Sequence, residues 1–446
     1  MAKSPDLAMV ERVVADQHDR PLPKVVRREI RLPEVPGNAN ALVGMRRSGK
    51  TYCLFAEIQA LLARGVPRSR IFYLNLEDDR LSGADLATLD QALETFYRRD
   101  PAARGEGAWI MLDEVQAVSG WERFARRILD TERARLFVTG SSARQLSTEV
   151  ATAFRGRSTT VEVLPYSLRE AATASGISLP TTWPPGAARR SQLDAFVLDY
   201  LQQGGFPAVR AATPHDRIQV LQEYVDLVVL RDVGERHSAT NLPALRQLVA
   251  ALFAANANGF SVSRLQGSLQ SQGLPSSKAT LLAYLEHLVD AYLCFLVPLR
   301  TRSARQRAVN PRKVYAVDPG LAAAMYRAGA VNLGAQLENA VYLELRRRHG
   351  RLADSVVTWF KTNTGNEVDF AVDDPVRGGP PELIQACMHL DTDSTLQREV
   401  AGLGEAMAET GAHSGTIVTL STAREIEVAA GKIQVVPARE WFFRRS

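Results

Sequence analysis

Short apolar or alternating segments predict strands in the first third of the chain, at residues 41–43, 71–79, 108–114 and 134–143. A fifth predicted strand lies in FRGRSTTVEV. Segments between these strands have the periodicity of helices. Alternating strands and helices predict a parallel sheet with helices on both faces, so the expected fold class is α/β.

The pattern changes after residue 240, where LPALRQLVAALFAAN, SVSRLQGSLQSQG and PSSKATLLAYLEHLVDAYL predict three helices. Ser276 is the predicted N-cap of the third helix. The strands CFLVPL and VYAVD then predict a hairpin with an arginine-rich tip. Three helices and a basic hairpin predict a winged helix-turn-helix.

A chain of 446 residues is too long for one ordinary core, so we expect several domains. The predicted order is an N-terminal arm, an ATPase core, a helical lid or connector, a winged-helix domain and an α/β restriction-endonuclease-like domain. Their predicted bounds are 1–35, 36–190, 191–240, 241–330 and 331–446.

Composition limits the class of protein. Hydrophobic residues make up 46% of the chain and charged residues 23%, which is typical of soluble globular proteins. No apolar run approaches the ~20 residues of a membrane span, so we expect a cytoplasmic protein without a membrane partner. The three cysteines are far apart, which argues against a disulfide framework or a CxxC metal site. A net charge of +5 permits nucleic-acid binding without requiring it.

The segment GMRRSGKT has the spacing of a phosphate-binding P-loop between a strand and a helix. Gly44 and Gly49 allow backbone N–H groups to approach phosphate oxygens. Lys50 is predicted to reach the β- and γ-phosphates, and the Thr51 hydroxyl to hold Mg²⁺. The expected cofactors are ATP and Mg²⁺, with ADP as product.

Hydrolysis requires a second strand that ends in acid. AWIMLDE provides it, with Asp113 predicted to hold Mg²⁺ and Glu114 to polarise the attacking water. The neighbouring strand ends at Ser141, which either senses the γ-phosphate or belongs to a Ser-rich turn. The complete set of predicted nucleotide-binding residues is Gly44, Met45, Arg46, Arg47, Ser48, Gly49, Lys50, Thr51, Tyr52 and Ser141.

GMRRSGKT, LDEVQ, TGSSA, FRGR to LPYSLRE, YLQQGGFP and NEVDF resemble the successive signatures of one family, the prokaryotic AAA-type ATPases with a C-terminal domain of unknown function. The resemblance covers most of the chain and implies a P-loop NTPase core of the AAA (ASCE) type. It places the family's paired arginines at Arg46 and Arg47. These arginines clamp phosphate, pair with an acid such as Glu77, contact DNA, or contact another subunit of a homo-oligomer.

A charge-stabilising arginine is expected near the γ-phosphate. Arg155 and Arg157 are the candidates, acting in their own subunit or in a neighbouring one. The alternative is that both form local salt bridges.

The third helix of the winged-helix segment is predicted to enter a DNA major groove, with the basic hairpin against phosphates. Winged helices also serve as protein contacts, and this alternative remains open. The predicted DNA-binding residues are Lys278, Arg300, Arg302, Arg305, Arg307 and Arg312.

The last domain resembles the PD-(D/E)xK nuclease core, which places Glu338 on a helix and Asp369 on a strand. Gln385 and Cys387 stand where that core has an acid and a lysine, so the site is interpreted as degenerate and DNA cleavage is not expected. Lys361 is the one substitute lysine that the sequence suggests. The basic segment Arg346, Arg347 and Arg348 is predicted to face phosphate at most.

The leading hypothesis is a Mg²⁺-dependent ATPase whose nucleotide state controls a DNA-contacting winged-helix and nuclease-like module. The rival is a nucleotide-gated signalling or scaffold protein that hydrolyses ATP slowly and contacts only protein.

Overall fold

The computed structural model describes residues 4–33, 35, 37–140, 154, 156–235, 241–274, 276–301, 303, 305–306, 310–325, 331–376, 378–390 and 392–444. The chain forms two compact units, Met1–Leu164 (unit 1) and Pro165–Ser446 (unit 2). Among the helices within these described ranges, none combines the length and apolar character needed to cross a membrane.

The described strands of unit 1 form one parallel sheet in the order β2-β3-β4-β1-β5. Their bounds are β1 Ala39–Val43, β2 Ile71–Asn75, β3 Ala108–Asp113, β4 Ala134–Gly140 and β5 Ser158–Glu162. The predicted parallel α/β sheet is therefore confirmed. All carboxyl ends of parallel strands lie at one edge, so the ends of β1, β3 and β4 are brought together there.

Helices cover both faces of this sheet. The helices in the described part of unit 1 are α1 Leu7–Asp19, α2 Lys50–Ala63, α3 Leu86–Arg99, α4 Ala102–Glu106 and α5 Trp121–Thr131. Tyr73 packs on Phe55 of α2, with ring centroids 5.2 Å apart, whereas Phe72 packs on Phe96 of α3 at 5.1 Å. Successive strand residues point to opposite faces, so α2 and α3 lie on opposite sides of the sheet.

Unit 2 begins with helices and a small antiparallel sheet in the order β6-β8-β7. The helices are α6 Leu168–Ala174, α7 Ala187–Gln203, α8 Pro214–Leu227, α9 Leu242–Ala254, α10 Val262–Ser271 and α11 Lys278–Asp290, and a π-helix spans Val228–Glu235. The strands are β6 Gly259–Phe260, β7 Cys294–Val297 and β8 Arg312–Ala316. The three predicted helices and the hairpin are present, although the cap of α11 is Ser277 rather than Ser276.

A buried aspartate explains the GGFP segment. Asp318 is fully buried and accepts hydrogen bonds from the backbone N–H of Gly205, at 2.6 Å, and of Leu321, at 2.9 Å. Burial raises the pKa of Asp318 to about 6, and these two N–H groups oppose the rise. A Cβ at Gly204 would lie 1.9 Å from Asp318 Oδ1, so only glycine fits there.

The C-terminal sheet of unit 2 has the order β13-β14-β12-β11-β10-β9 in the described residues. Its strands are β9 Val357–Lys361, β10 Glu367–Val372, β11 Glu382–Ala386, β12 Ser414–Thr419, β13 Arg424–Val428 and β14 Gly431–Pro437. Helix α12 Pro319–Met325 packs on α7 and α8. The described helices that accompany the C-terminal sheet are α13 Leu333–His349, α14 Ala353–Val356, α15 Asp393–Thr410 and α16 Ala438–Phe443. Trp359 of β9 donates to Pro298 O at 3.1 Å and accepts from Arg300 N at 2.7 Å. The chain that follows β7 is therefore hydrogen-bonded to β9.

Candidate nucleotide site and carboxylate cluster

The predicted phosphate loop lies between the end of β1 and the start of α2. Gly44 has no room for a side chain, because a Cβ there would lie 2.2 Å from the carbonyl oxygen of Val163. Gly49 caps α2 with φ +105°, a conformation that residues with a side chain rarely adopt. Both glycines are therefore required by the path of the loop.

Lys50 is the first residue of α2 and is only 4% exposed. Its ammonium donates to the carbonyl oxygens of Gly44, at 3.1 Å, and Met45, at 3.3 Å. The side chain therefore lies over the loop itself. The hydroxyl of Ser48 in the same loop is buried and has no hydrogen-bond partner among the residues that the structure describes. Phosphate oxygens would provide stronger, charge-assisted acceptors for both groups.

Asp113 ends β3 and is 1% exposed. Its carboxylate accepts hydrogen bonds from Tyr73 OH, at 2.9 Å, and from the Thr139 hydroxyl. Burial raises the pKa of Asp113, whereas hydrogen bonds from Thr139, Thr51 and Tyr73 favour the charged form. Thr51 and Asp113, the two predicted Mg²⁺ holders, are thus side by side.

Glu114 adopts a left-handed backbone conformation with φ +56°. Its N–H donates to the Thr139 hydroxyl at 2.9 Å, and its Oε1 lies 3.8 Å from Lys50 Nζ. Oε2 accepts from Gln116 Nε2 at 2.5 Å. A non-glycine residue held in this strained conformation is a common feature of functional sites. The predicted phosphate-binding lysine and catalytic glutamate therefore meet in one site.

Thr139 is a site residue that the sequence interpretation missed. Its hydroxyl joins the two acids, donating to Asp113 and accepting from the backbone of Glu114. The prediction for this strand end named Ser141 instead. The signal was the pairing of β3 with β4, which places Thr139 beside the end of β3.

Replacing Thr139 with Val is expected to keep ATP affinity and to lower turnover ~10-fold, because loss of one hydrogen bond at a charged group costs about 1.5 kcal/mol. Steady-state phosphate release and ATP titration measure the two effects. Thr139→Ser retains the hydroxyl and should restore turnover. Equal turnover in Thr139→Val and the wild type would refute a positioning role.

The remaining predicted residues of the loop differ in their exposure and contacts. Arg46 pairs with Glu77 at 3.4 Å, which agrees with one of the proposed roles for the paired arginines. Arg47 is exposed, with φ +67°. Met45 is fully buried and Tyr52 is 53% exposed.

Arg157 forms an ion pair with Asp130 of α5, with 2.5 Å between Nη2 and Oδ1. The local salt bridge was the alternative to a role at the γ-phosphate, and this contact favours it. Arg155 and Ser141 lie outside the described residues.

The predicted DNA-binding residues that the structure describes differ in exposure and pairing. Lys278, Arg305 and Arg312 are exposed. Arg300 pairs with Asp373, with 2.6 Å between Nη1 and Oδ2, so it contacts the C-terminal sheet instead of presenting an unpaired charge. Arg302 and Arg307 lie outside the described residues.

A buried lysine that the sequence interpretation missed joins the two predicted nuclease-like acids. Lys313 of β8 is 5% exposed, and its ammonium lies 3.0 Å from Glu338 Oε1 and 2.8 Å from Asp369 Oδ1. Tyr315, on the same face of β8, donates to Glu338 at 2.7 Å. We call Lys313, Tyr315, Glu338 and Asp369 the carboxylate cluster.

The other positions of the predicted nuclease-like site differ in their contacts with this cluster. Gln385 accepts from Asp369 N at 3.0 Å, and Ala386 N donates to Asp369 Oδ2 at 2.9 Å. The Cys387 thiol donates to His389 O at 3.2 Å. Lys361, the one substitute lysine that the sequence suggests, is exposed. The lysine that contacts both acids is Lys313 of β8.

Electrostatics in the cluster follow from burial. Burial raises the pKa of Glu338 to about 8, with a further contribution from Asp369. Burial alone would lower the pKa of Lys313, but the two carboxylates outweigh it and the pKa is raised. The ammonium is therefore held charged between the acids.

The three arginines of the basic segment of α13 form ion pairs or hydrogen bonds within unit 2. Arg346 is 3% exposed and pairs with Asp354 at 2.6 Å. Arg347 donates to Pro165 O at 2.9 Å, and Arg348 pairs with Glu344 at 3.1 Å. These contacts argue against the predicted phosphate-facing surface.

Residues 37–172 match a family model described as an AAA domain, and residues 196–333 match a domain of unknown function, DUF8612. The uncharacterised protein MJ1544 of Methanocaldococcus jannaschii is 30% identical over 390 residues, which cover 86% of this chain and 82% of that protein. The chain belongs to the MJ1544 family. Another relative, an uncharacterised protein of Haemophilus influenzae, is 27% identical over 307 residues, covering 68% of this chain and 73% of the relative.

Solved structures give more distant likenesses to this member of the MJ1544 family. The Walker-type ATPase PABY2304 of Pyrococcus abyssi has a TM-score of 0.43 at 14% identity, covering 72% of this chain and 95% of that chain. The Aeropyrum pernix ORC1 protein in complex with DNA has a TM-score of 0.27 at 14% identity, covering 72% and 90%. The P-loop fold of unit 1 is assigned from its parallel sheet, its loop and the AAA match.

Proposed function

We propose that unit 1 binds ATP with Mg²⁺ and hydrolyses it to ADP and phosphate. The observation that carries this proposal is the meeting of Lys50 and Glu114, whose charged groups lie 3.8 Å apart at the carboxyl edge of the sheet. The AAA match over residues 37–172 supports it. Loop and acids come from separate segments, so their convergence is a stronger indication than either motif alone.

The residues present suit a nucleotide phosphate. The Lys50 ammonium is buried against neutral carbonyls of its own loop. The buried Ser48 hydroxyl lacks a hydrogen-bond partner within the described part of the chain. Both groups are donors, and an anionic phosphate supplies acceptors. The start of α2 adds the positive end of a helix dipole.

The residues also suit Mg²⁺, which prefers oxygen ligands and keeps several waters. Thr51 and Asp113 would hold it together with the nucleotide's own phosphates. Within the described residues, no group of three or more His, Cys, Asp and Glu side chains offers a site that would hold a metal by protein ligands alone. Bound Mg²⁺ supplies charge neutralisation at the phosphates.

In this proposal Glu114 orients the attacking water and accepts its proton, while Lys50 neutralises phosphate charge. Titration calorimetry tests the binding step: ATP with Mg²⁺ should bind the wild type and should bind the Lys50→Ala variant far more weakly. Equal affinity in both proteins would contradict the assignment of the loop.

We propose that unit 2 contacts DNA and that the nucleotide state of unit 1 governs this contact. Arg305 and Arg312 near the hairpin tip and Lys278 at the start of α11 are exposed cations that support it. A specific observation favours the alternative of a protein-contacting scaffold: the exposed face of α11 also carries Leu282 and Glu286. An apolar and an acidic side chain are poorly suited to a helix that lies in a phosphate-lined groove.

Salt dependence separates these two candidates. If Arg305 and Arg312 contact phosphates, replacing both with Ala should flatten the slope of log affinity against log salt by about two units. Anisotropy with a labelled duplex measures the slope. Replacing the exposed Arg231 and Arg351 instead removes the same charge elsewhere and should leave the slope unchanged. An unaltered slope in the Arg305/Arg312 variant, or no duplex binding, would favour the scaffold.

A further inference from the structure

Arg28 lies in the segment before β1 and connects two distant parts of unit 1. Its Nη1 donates to the carbonyl oxygen of Ser48, in the phosphate loop, at 3.2 Å. Its Nη2 donates to the carbonyl oxygen of Leu164 at 2.6 Å. Leu164 is the last residue of unit 1, so one guanidinium links the loop to the point where the chain leaves that unit.

The end of unit 1 also contacts the loop directly. Val163 N donates to the carbonyl oxygen of Val43, the residue before the loop, at 2.7 Å. A Cβ at Gly44 would lie 2.2 Å from Val163 O, so the loop backbone packs directly on this residue. Val163 and Leu164 are both buried. Because buried contacts of this kind are close-packed, a shift of the loop displaces the end of unit 1 as well.

The hydrogen bond to Ser48 sets the direction of a phosphate-binding donor. A trans peptide is planar, so its N–H points away from its C=O. By holding Ser48 O, Arg28 directs the N–H of Gly49 to the opposite side of the same peptide. Gly49 is one of the predicted nucleotide-binding residues, and backbone N–H groups of such loops bind phosphate oxygens. Arg28 is therefore placed to act on the nucleotide through the loop backbone.

We propose that Arg28 is a positioning residue of the nucleotide site and couples the phosphate loop to the end of unit 1. This inference rests on the proposed function, because it requires that the loop binds ATP. Phosphate that binds the N–H groups of the loop orders the loop. The link from Ser48 through Arg28 to Leu164 then orders the end of unit 1 with it.

Steady-state phosphate release by the full chain tests the positioning role. Arg28→Ala should raise KM for ATP about tenfold, the scale of one hydrogen bond to a charged group. It should change kcat by less than about threefold, because losing a contact made equally in the ground and transition states raises KM alone.

Two further variants separate geometry from charge. Arg28→Lys keeps the charge, but an ammonium does not reproduce the planar fork that serves two carbonyls, so its KM should stay closer to that of Arg28→Ala than to the wild type. Arg27→Ala removes the same charge from the neighbouring, exposed position and should change KM by less than about twofold. Thermal unfolding checks that each variant folds, and Arg28→Lys supplies the same comparisons if Arg28→Ala does not.

Hydrogen–deuterium exchange tests the coupling. The non-hydrolysable analogue AMPPNP, added with Mg²⁺ at a saturating concentration for each protein, should slow exchange in residues 158–168 of the wild type and of Arg27→Ala. In Arg28→Ala the change should be less than about half as large, because only the direct contacts of Val163 with the loop remain.

The outcomes separate this inference from the proposed function. A wild-type KM in Arg28→Ala, a KM fully restored in Arg28→Lys, or exchange in residues 158–168 that bound AMPPNP does not alter in the wild type would each overturn the role of Arg28 and leave ATP binding intact. Failure of the wild type to bind AMPPNP would refute the proposed function and this inference with it.

Discussion

Replacing Glu114 with Gln is expected to keep ATP binding and to lower turnover at least ~100-fold, the scale of positioned acid–base catalysis. Glutamine has the same shape but cannot accept a proton from water. It also removes the negative charge that lies 3.8 Å from Lys50. Phosphate release measures turnover, and calorimetric titration with ATP measures binding in the same preparation.

A matched control is Glu77→Gln, which removes the same charge from the partner of Arg46, close to the same loop. That variant should retain near wild-type turnover. Wild-type turnover in Glu114→Gln would show that another group activates water. Loss of ATP binding in Glu114→Gln would instead show that the charge holds the loop together.

The second large effect is expected in unit 2, where Lys313→Ala should destabilise the fold by about 3–5 kcal/mol. The change removes the cation between Glu338 and Asp369 and leaves the two buried acids facing each other. Chemical denaturation followed by circular dichroism measures the change in the free energy of unfolding. Lys361→Ala, which removes an exposed lysine from β9, should change it by less than about 0.5 kcal/mol.

The effect of Mg²⁺ on the stability of Lys313→Ala distinguishes loss of the buried cation from simple loss of packing. Carboxylates are ligands that Mg²⁺ prefers, so millimolar Mg²⁺ should restore part of the lost stability in Lys313→Ala and leave the wild type unchanged. The account implies that, in the wild type, the Lys313 ammonium occupies the position that a metal ion would take between the two acids. Mg²⁺-dependent DNA cleavage that disappears in Asp369→Ala would contradict it and identify an active nuclease.

The residues of the proposed nucleotide site could be named from sequence because each of its motifs is short and continuous. Gly44 to Thr51 form a single loop, and Asp113 and Glu114 are neighbours at one strand end. The expectation that the two segments meet required only the parallel α/β pattern. Thr139 was not predicted because the sequence does not show which hydroxyl at the end of β4 lies beside Asp113 and Glu114, which depends on the register of β4 with β3.

The carboxylate cluster depends even more on tertiary contacts that the sequence does not reveal. Glu338 and Asp369 were recognised from a resemblance, but their partner Lys313 lies on a strand assigned to the preceding domain. The predicted C-terminal domain contains two lysines, Lys361 and Lys432, and both are exposed. The contact arises because β8 packs near α13 and β10, a tertiary arrangement that hydrophobic periodicity does not specify.

The most direct test of the central claim is the steady-state rate of phosphate release from ATP by the purified full chain, measured with Mg²⁺ and with excess EDTA. The account predicts release that saturates with ATP, requires Mg²⁺ and is abolished in Lys50→Ala, because the ammonium then no longer reaches the phosphates. Release that is absent from the wild type, or equally fast in Lys50→Ala, would contradict the assignment of unit 1 as an ATPase.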